Sequence, residues 1–210
     1  MVEGVKTCLG GLHSAKICLY SVDFHEIEWL QQQAKWQEAG RILADAAKAI
    51  EVGGAGFLLI CSNTMHKVAP LIESEISIPL LHIADATAQQ LIADGVTRVG
   101  LLGTRFTMEQ DFYKEKLIKQ YHIDVVVPEP AEREMVDRVI FSELCLGNVN
   151  PASRDAYLKV MDSMHARGAQ AIILGCTEID LLISSKYTDI PLYDTTAIHC
   201  AAAVQSAIQE

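Results

Sequence analysis

Two side chains that can move a proton, Ser62 and Cys176, occupy matching places in this sequence. Each lies eight residues beyond the glycine of a Gly-Ala pair, Gly54-Ala55 and Gly168-Ala169, at the end of an apolar run. Polar residues follow each: Asn63-Thr64 after the first, Thr177-Glu178 after the second. In parallel α/β sheets ligands bind beyond the carboxyl ends of strands. Free backbone N–H groups at a helix start there can hold a carboxylate, and the same positive end favours a thiolate at Cys176. If two similar halves face each other, a hydroxyl and a thiol approach one ligand from opposite sides. That geometry suits taking a proton from one face of a carbon and replacing it on the other. The plainer reading is that both are ordinary strand-end residues, since small buried cysteines are common.

The elements that must carry these residues alternate along the chain. Short apolar runs predict strands at 15–22, 56–61, 80–83, 99–102, 123–127, 171–174 and 192–194. Amphipathic stretches predict helices at 36–51, 67–76, 86–94, 107–121, 132–146, 151–167 and 195–209, one of them opened by Pro151 after an Asn150 cap. The alternation indicates an α/β fold with mainly parallel sheets. Asp23-Phe24-His25-Glu26 reads as a loop, either lining a pocket or solvated. Gly53-Gly54-Ala55-Gly56 precedes a strand, so it reads as a helix C-cap and turn, not as a phosphate loop.

The matching places belong to a repeat. After each strand end the chain reaches an Ile-Pro-Leu strand, Ile78-Pro79-Leu80 and Ile190-Pro191-Leu192; the offset is 114 residues at Ser62/Cys176 and 112 at the prolines. The expected division is a first half of residues 1–94, with the helix at 196–210 packing back on it, and a second half of 95–195. The ligand is expected in the cleft between two pseudo-symmetric half-domains. The repeat also exposes a gap. The run 15–22 matches 123–127 at an offset of about 108 residues, which leaves the strand and loop Arg98 to Thr104 with no first-half counterpart. The first half is expected to lack its opening strand, through a shortened N-terminus or unequal halves. Losing a parallel strand leaves backbone groups unpaired and apolar surface open.

Composition narrows the partners. Half the residues (50%) are hydrophobic and 21% are charged, and the formal net charge is −10. Such an acidic chain lacks the basic footprint of a nucleic-acid binder and is repelled by anionic lipid. No apolar run approaches the roughly 20 residues needed to cross a bilayer. Six scattered cysteines without a C-x-x-C pair fit reduced thiols in a cytoplasmic protein. Seven histidines show no ligand spacing, so no metal is expected.

The segments Cys61-Ser62-Asn63-Thr64-Met65-His66 and Gly175-Cys176-Thr177-Glu178-Ile179 resemble the two signature sites of the aspartate/glutamate racemase family. Leu80-Leu81-His82-Ile83-Ala84-Asp85-Ala86-Thr87, Leu102-Gly103-Thr104-Arg105-Phe106-Thr107-Met108 and Phe141-Ser142-Glu143-Leu144-Cys145-Leu146-Gly147 resemble it as well, so the likeness spans the chain. It is nearest the bacterial branch acting on L-aspartate or L-glutamate. The resemblance implies racemisation of an acidic amino acid without pyridoxal phosphate or any other cofactor, by one acid/base group on each face of the α-carbon, in a cytoplasmic homodimer. Carried over, Cys176 is one base and Ser62 occupies the position of the other. Asn63, Thr64 and Thr177 match positions holding the substrate's carboxylate and amino groups. Thr104 lies in a matching loop, and Glu178 is a ligand-contact candidate. His66, His82 and Arg105 are further pocket candidates, with Lys67 and Arg133 considered beside Arg105 for the distal carboxylate.

The sequence departs from that pattern at Ser62. A hydroxyl is a far poorer base than a thiol with a reference pKa of about 8.5, although it can donate a proton or position water. Unequal rates from the two enantiomers are expected, with Cys176 the stronger base. Two other functions fit a single thiol: decarboxylation of a malonate-like acid, and an inactive relative that only binds dicarboxylates.

Overall fold

Two compact units emerge in the computed structural model, which describes residues 1–209. One comprises Met1–Cys61, Met65–His82 and the chain from Cys200 on; the other comprises Ser62–Thr64 and Ile83–His199.

The first unit is mainly helical: α1 (Val2–Leu9), α2 (Phe24–Gln32), α3 (Trp36–Val52) and, after a 3-10 turn at Thr64–Val68, α4 (Ala69–Glu73). The small residues of α3 let helices approach closely. A Cβ on Gly40 would lie 3.1 Å from Leu71 Cδ1 and 3.3 Å from Val68 Cβ. Ile27, Leu30, Leu58, Ile60, Met65 and Ile72 complete this core. Three expectations change here. The run 23–26 is the start of α2, because the Asp23 carboxylate accepts from His25 N at 3.1 Å and caps a helix. The runs at 56–61 and 80–83 shrink to one parallel bridge, Leu58 with Leu80, and Ile83 already begins a helix. The run at 15–22 is not a strand, since nothing among the described residues pairs with it.

In the second unit a parallel sheet has the order β2-β1-β3-β4. Its elements are α5 (Ile83–Ala93), β1 (Arg98–Gly103), α6 (Arg105–Glu109), α7 (Asp111–Glu115), β2 (Asp124–Val126), α8 (Pro130–Ser142), α9 (Pro151–Ala166), β3 (Ala171–Gly175), α10 (Ile179–Leu182), β4 (Leu192–Asp194) and the start of α11 (Thr195–Ile208), whose residues from Cys200 on belong to the first unit. Strand alternation divides the apolar residues between two layers. Leu102, Ile172 and Leu174 pack with α8, α9 and α10, whereas Val99, Leu101, Ala171 and Ile173 pack with α5 and Tyr113 of α7. The helix at 83–93, grouped with the first half by sequence, shares this second cluster. The helix expected over 107–121 is broken. Gln110 is extended (φ −85°, ψ 155°), the Lys114 ammonium donates to the Glu109 carbonyl at 2.9 Å, and residues 116–120 form a π-turn.

The repeat is visible in matched hydrogen bonds. Leu58 N donates to Pro79 O at 2.9 Å, and Ile172 N donates to Pro191 O at 2.8 Å. Each pair falls at the offsets found in the sequence.

Candidate active site

Glycines bring the central strands of the second unit together at their carboxyl ends. Gly103 pairs with Gly175, and a Cβ on Gly175 would lie 2.6 Å from Leu102 O. The chain leaves these ends as Thr104 and Cys176, and leaves β4 as Thr195. Thr104 caps α6, its side chain accepting from Thr107 N.

The segment Ser62–Thr64 is strapped across this edge. Thr64 Oγ1 lies 2.9 Å from Thr104 Oγ1 and 3.3 Å from Thr107 Oγ1, beyond β1. Asn63 Nδ2 donates to Thr195 Oγ1 at 3.0 Å, beyond β4. The strand between β1 and β4 is β3, which ends in Cys176. Neighbours in sequence are thereby tied to the two strands flanking the thiol.

Thr195 fixes which way Asn63 faces. A hydroxyl has one proton to donate, and Thr195 gives it to Leu174 O at 2.9 Å. Towards Asn63 it can only accept, so the amide NH₂ points at Thr195 and Oδ1 points away. Asn63 is 3% exposed and its Oδ1 has no partner among the described residues. An unpaired buried acceptor costs about 1–3 kcal/mol, a penalty that a ligand donor would relieve.

Cys176 is half-buried, and its thiol donates to Glu178 Oε2 at 3.0 Å. Burial, then the nearby carboxylate, push the thiol well above its ordinary pKa. This corrects the expectation of a favoured thiolate: α10 is four residues long, and burial and Glu178 outweigh its dipole. Cys145 is raised to about 11 by burial and then by Glu178. Thr177, between Cys176 and Glu178, is also half-buried.

The other candidates have structural attachments. His66 and His82 pair with each other in the first unit, ring centroids 4.3 Å apart. Arg105 lies over the Phe106 ring, and its backbone N–H donates to Asp137. Lys67 lies over the Trp36 ring at 4.2 Å. Arg133 is committed to Glu109 and to Pro128 O. Sequence reading passed over Thr107 and Thr195. The capping position three residues after Thr104 would have found the first, and the strand-end rule applied to 192–194 the second.

These features gather hydroxyl and amide groups at the carboxyl edge of a parallel sheet, with Cys176 following its central strand. The family model for Asp/Glu/hydantoin racemases matches residues 1–203, and the chain belongs to that family. It is similar to the crystal structure of a candidate Asp/Glu racemase from Yersinia pestis, with 52% identity, TM-score 0.92, and coverage of 99% of this chain and 90% of that one. It is also similar to an aspartate racemase homologue from Pyrococcus horikoshii, with 30% identity, TM-score 0.82, and coverage of 100% and 91%. A broad-specificity amino-acid racemase from Bacillus subtilis is 22% identical over 172 residues, which is 80% of this chain and 72% of that protein.

Proposed function

We propose that this protein racemises aspartate or glutamate without a cofactor, with Cys176 as the stronger base and Ser62 serving the opposite face. The observation that carries this reading is the Asn63–Thr64 strap. It presents a buried, correctly oriented acceptor and a hydroxyl cluster beside the end of the strand that holds the thiol. Asn63 Oδ1 accepts from the substrate ammonium, and the hydroxyls of Thr64 and Thr104 donate to its carboxylate. With Thr177 and Glu178 they surround the α-carbon.

The resting thiol is protonated, which suits delivery of a proton. To abstract one, the sulfur first passes its own proton to Glu178 Oε2. The resulting thiolate removes the α-proton, and the carbanion is protonated on its other face by Ser62 or by water that Ser62 positions. Solvent restores the hydroxyl proton and takes the proton held on Glu178, which leaves the sulfur carrying a proton and the carboxylate free, as at the start. Because a hydroxyl and a thiol differ as bases, the two enantiomers react at unequal rates.

The test is α-proton exchange followed by NMR in D₂O, with each enantiomer of aspartate and glutamate. The parent chain is expected to exchange and invert at least one pair, and Cys176→Ala to lose about 10²–10⁴ of that rate, as removal of a general base does. Release of CO₂ from a malonate-like acid without exchange of any amino acid would instead support the decarboxylase reading. Saturable binding without either reaction would support a binding protein.

A further inference from the structure

We infer that Thr195 is a positioning residue that makes this site select amino acids over the matching 2-oxo acids, by holding the Asn63 side-chain carbonyl towards the ligand. The inference deepens the racemase reading and rests on it for the place of the ligand.

An amide side chain offers an acceptor on one side and two donors on the other. Which side meets a ligand is decided by what holds the opposite side. For Asn63 that partner is Thr195 Oγ1, 3.0 Å from Nδ2. The hydroxyl is itself constrained. Strands β3 and β4 are paired as far as Leu174 and Asp194. Past that rung the Leu174 carbonyl takes the Thr195 proton at 2.9 Å. The backbone on the far side of Thr195 is fixed too, because Asp194 Oδ1 accepts from Thr196 N at 2.8 Å and from Ala197 N at 3.2 Å. Turning the Asn63 amide over would set its oxygen against Thr195 Oγ1. Either two acceptors then face each other, or the Thr195 proton swings to Asn63 and strips the Leu174 carbonyl. Thr195 is 0% exposed and Leu174 3%, so water does not replace the lost bond.

A fixed acceptor discriminates by chemistry. The α-ammonium of an amino acid only donates, and it pairs with Asn63 Oδ1. The keto oxygen of a 2-oxo acid only accepts, and it meets Oδ1 lone pair to lone pair. A site built to accept a substrate N–H rejects the analogue that lacks it, because its own buried group is left unpaired.

Titration of aspartate against oxaloacetate and of glutamate against 2-oxoglutarate tests this, with the Asn63 side-chain amide followed by ¹⁵N NMR. The parent is expected to bind the amino acid of at least one pair about tenfold or more tightly than its 2-oxo partner. Thr195→Val exchanges the hydroxyl for a methyl. It should cut that ratio about tenfold and speed hydrogen exchange of the Asn63 side-chain amide by a similar factor. Thr195→Ser keeps the hydroxyl and should match the parent in both readouts. The two acids also differ in net charge, so the change in the ratio is what isolates Asn63. If Thr195→Val weakens both acids alike, or leaves the amide as protected as before, the inference is overturned. Should Thr195→Val fail to fold, the parent decides. Its Asn63 amide protons are expected to stay protected when the amino acid saturates the site, and their release on binding would overturn the inference. If the preference and its loss are found but no amino acid exchanges its α-proton, the racemase reading fails and the role of Thr195 stands.

Discussion

The two halves of the repeat share a hydrogen-bonding plan but differ in how far it is completed. In the second, β3 is buried along its whole length between two partners. In the first, the matching run has one bridge and alternates between half-buried and buried residues before ending exposed at Cys61. The difference extends to the chemistry. The completed half ends in a thiol tied to a carboxylate, whereas the incomplete half ends in a hydroxyl. The lesson is that the scaffold and the proposed catalytic pair are separately variable: a strand end keeps its place in the repeat while its side chain and its neighbours change.

Substitutions that make the halves alike test the catalytic part of this comparison. The largest effect is expected from Cys176→Ser, which leaves a hydroxyl at both places and should lower α-proton exchange by about 10²–10⁴. Ser62→Cys makes both ends thiols and should raise racemisation about tenfold, chiefly for the enantiomer that the parent handles more slowly. If Ser62→Cys and Ser62→Ala both behave as the parent, Ser62 has no acid/base role.

A smaller change separates the thiol from its carboxylate. Glu178→Gln removes a negative charge that disfavours the thiolate, so the pKa of Cys176 falls and more thiolate is present at a given pH. The pH profile of alkylation by iodoacetamide should shift to lower pH while staying above the ordinary thiol range, because burial, the larger cause, remains. A profile that does not move would remove Glu178 from the account. The smallest effect concerns packing alone. Gly175→Ala places a Cβ against Leu102 O and should cost about 1–3 kcal/mol in urea unfolding. At the matching first-half position, Cys61→Ala should stay within about 0.5 kcal/mol.

What the sequence disclosed depended on how locally each feature is determined. The four strands of the second unit were legible within a residue or two, because runs such as 171–174 are buried on both faces. The same apolar signal at 15–22 was misleading, since a strand needs a neighbour and that segment has none among the described residues. The helix α2 is not legible from apolar periodicity; its start is marked only by Asp23, whose carboxylate accepts from His25 N. Ser62, Asn63, Thr64, Thr104 and Cys176 stand out as candidates through strand ends and motif resemblance. The orientation of Asn63 does not, because it depends on Thr195, 132 residues away. Nor does the upward shift of the Cys176 thiol, which follows from three-dimensional burial and from the direction in which Glu178 turns.

The most direct measurement is the isotope content of both pools in the first turnovers in D₂O, starting from the enantiomer that reacts faster. Unlike groups acting on opposite faces predict that the inverted product carries solvent deuterium while the recovered starting enantiomer remains protiated. Deuterium washing into the starting enantiomer ahead of inversion would contradict that, and would assign both proton removal and return to Cys176 on one face.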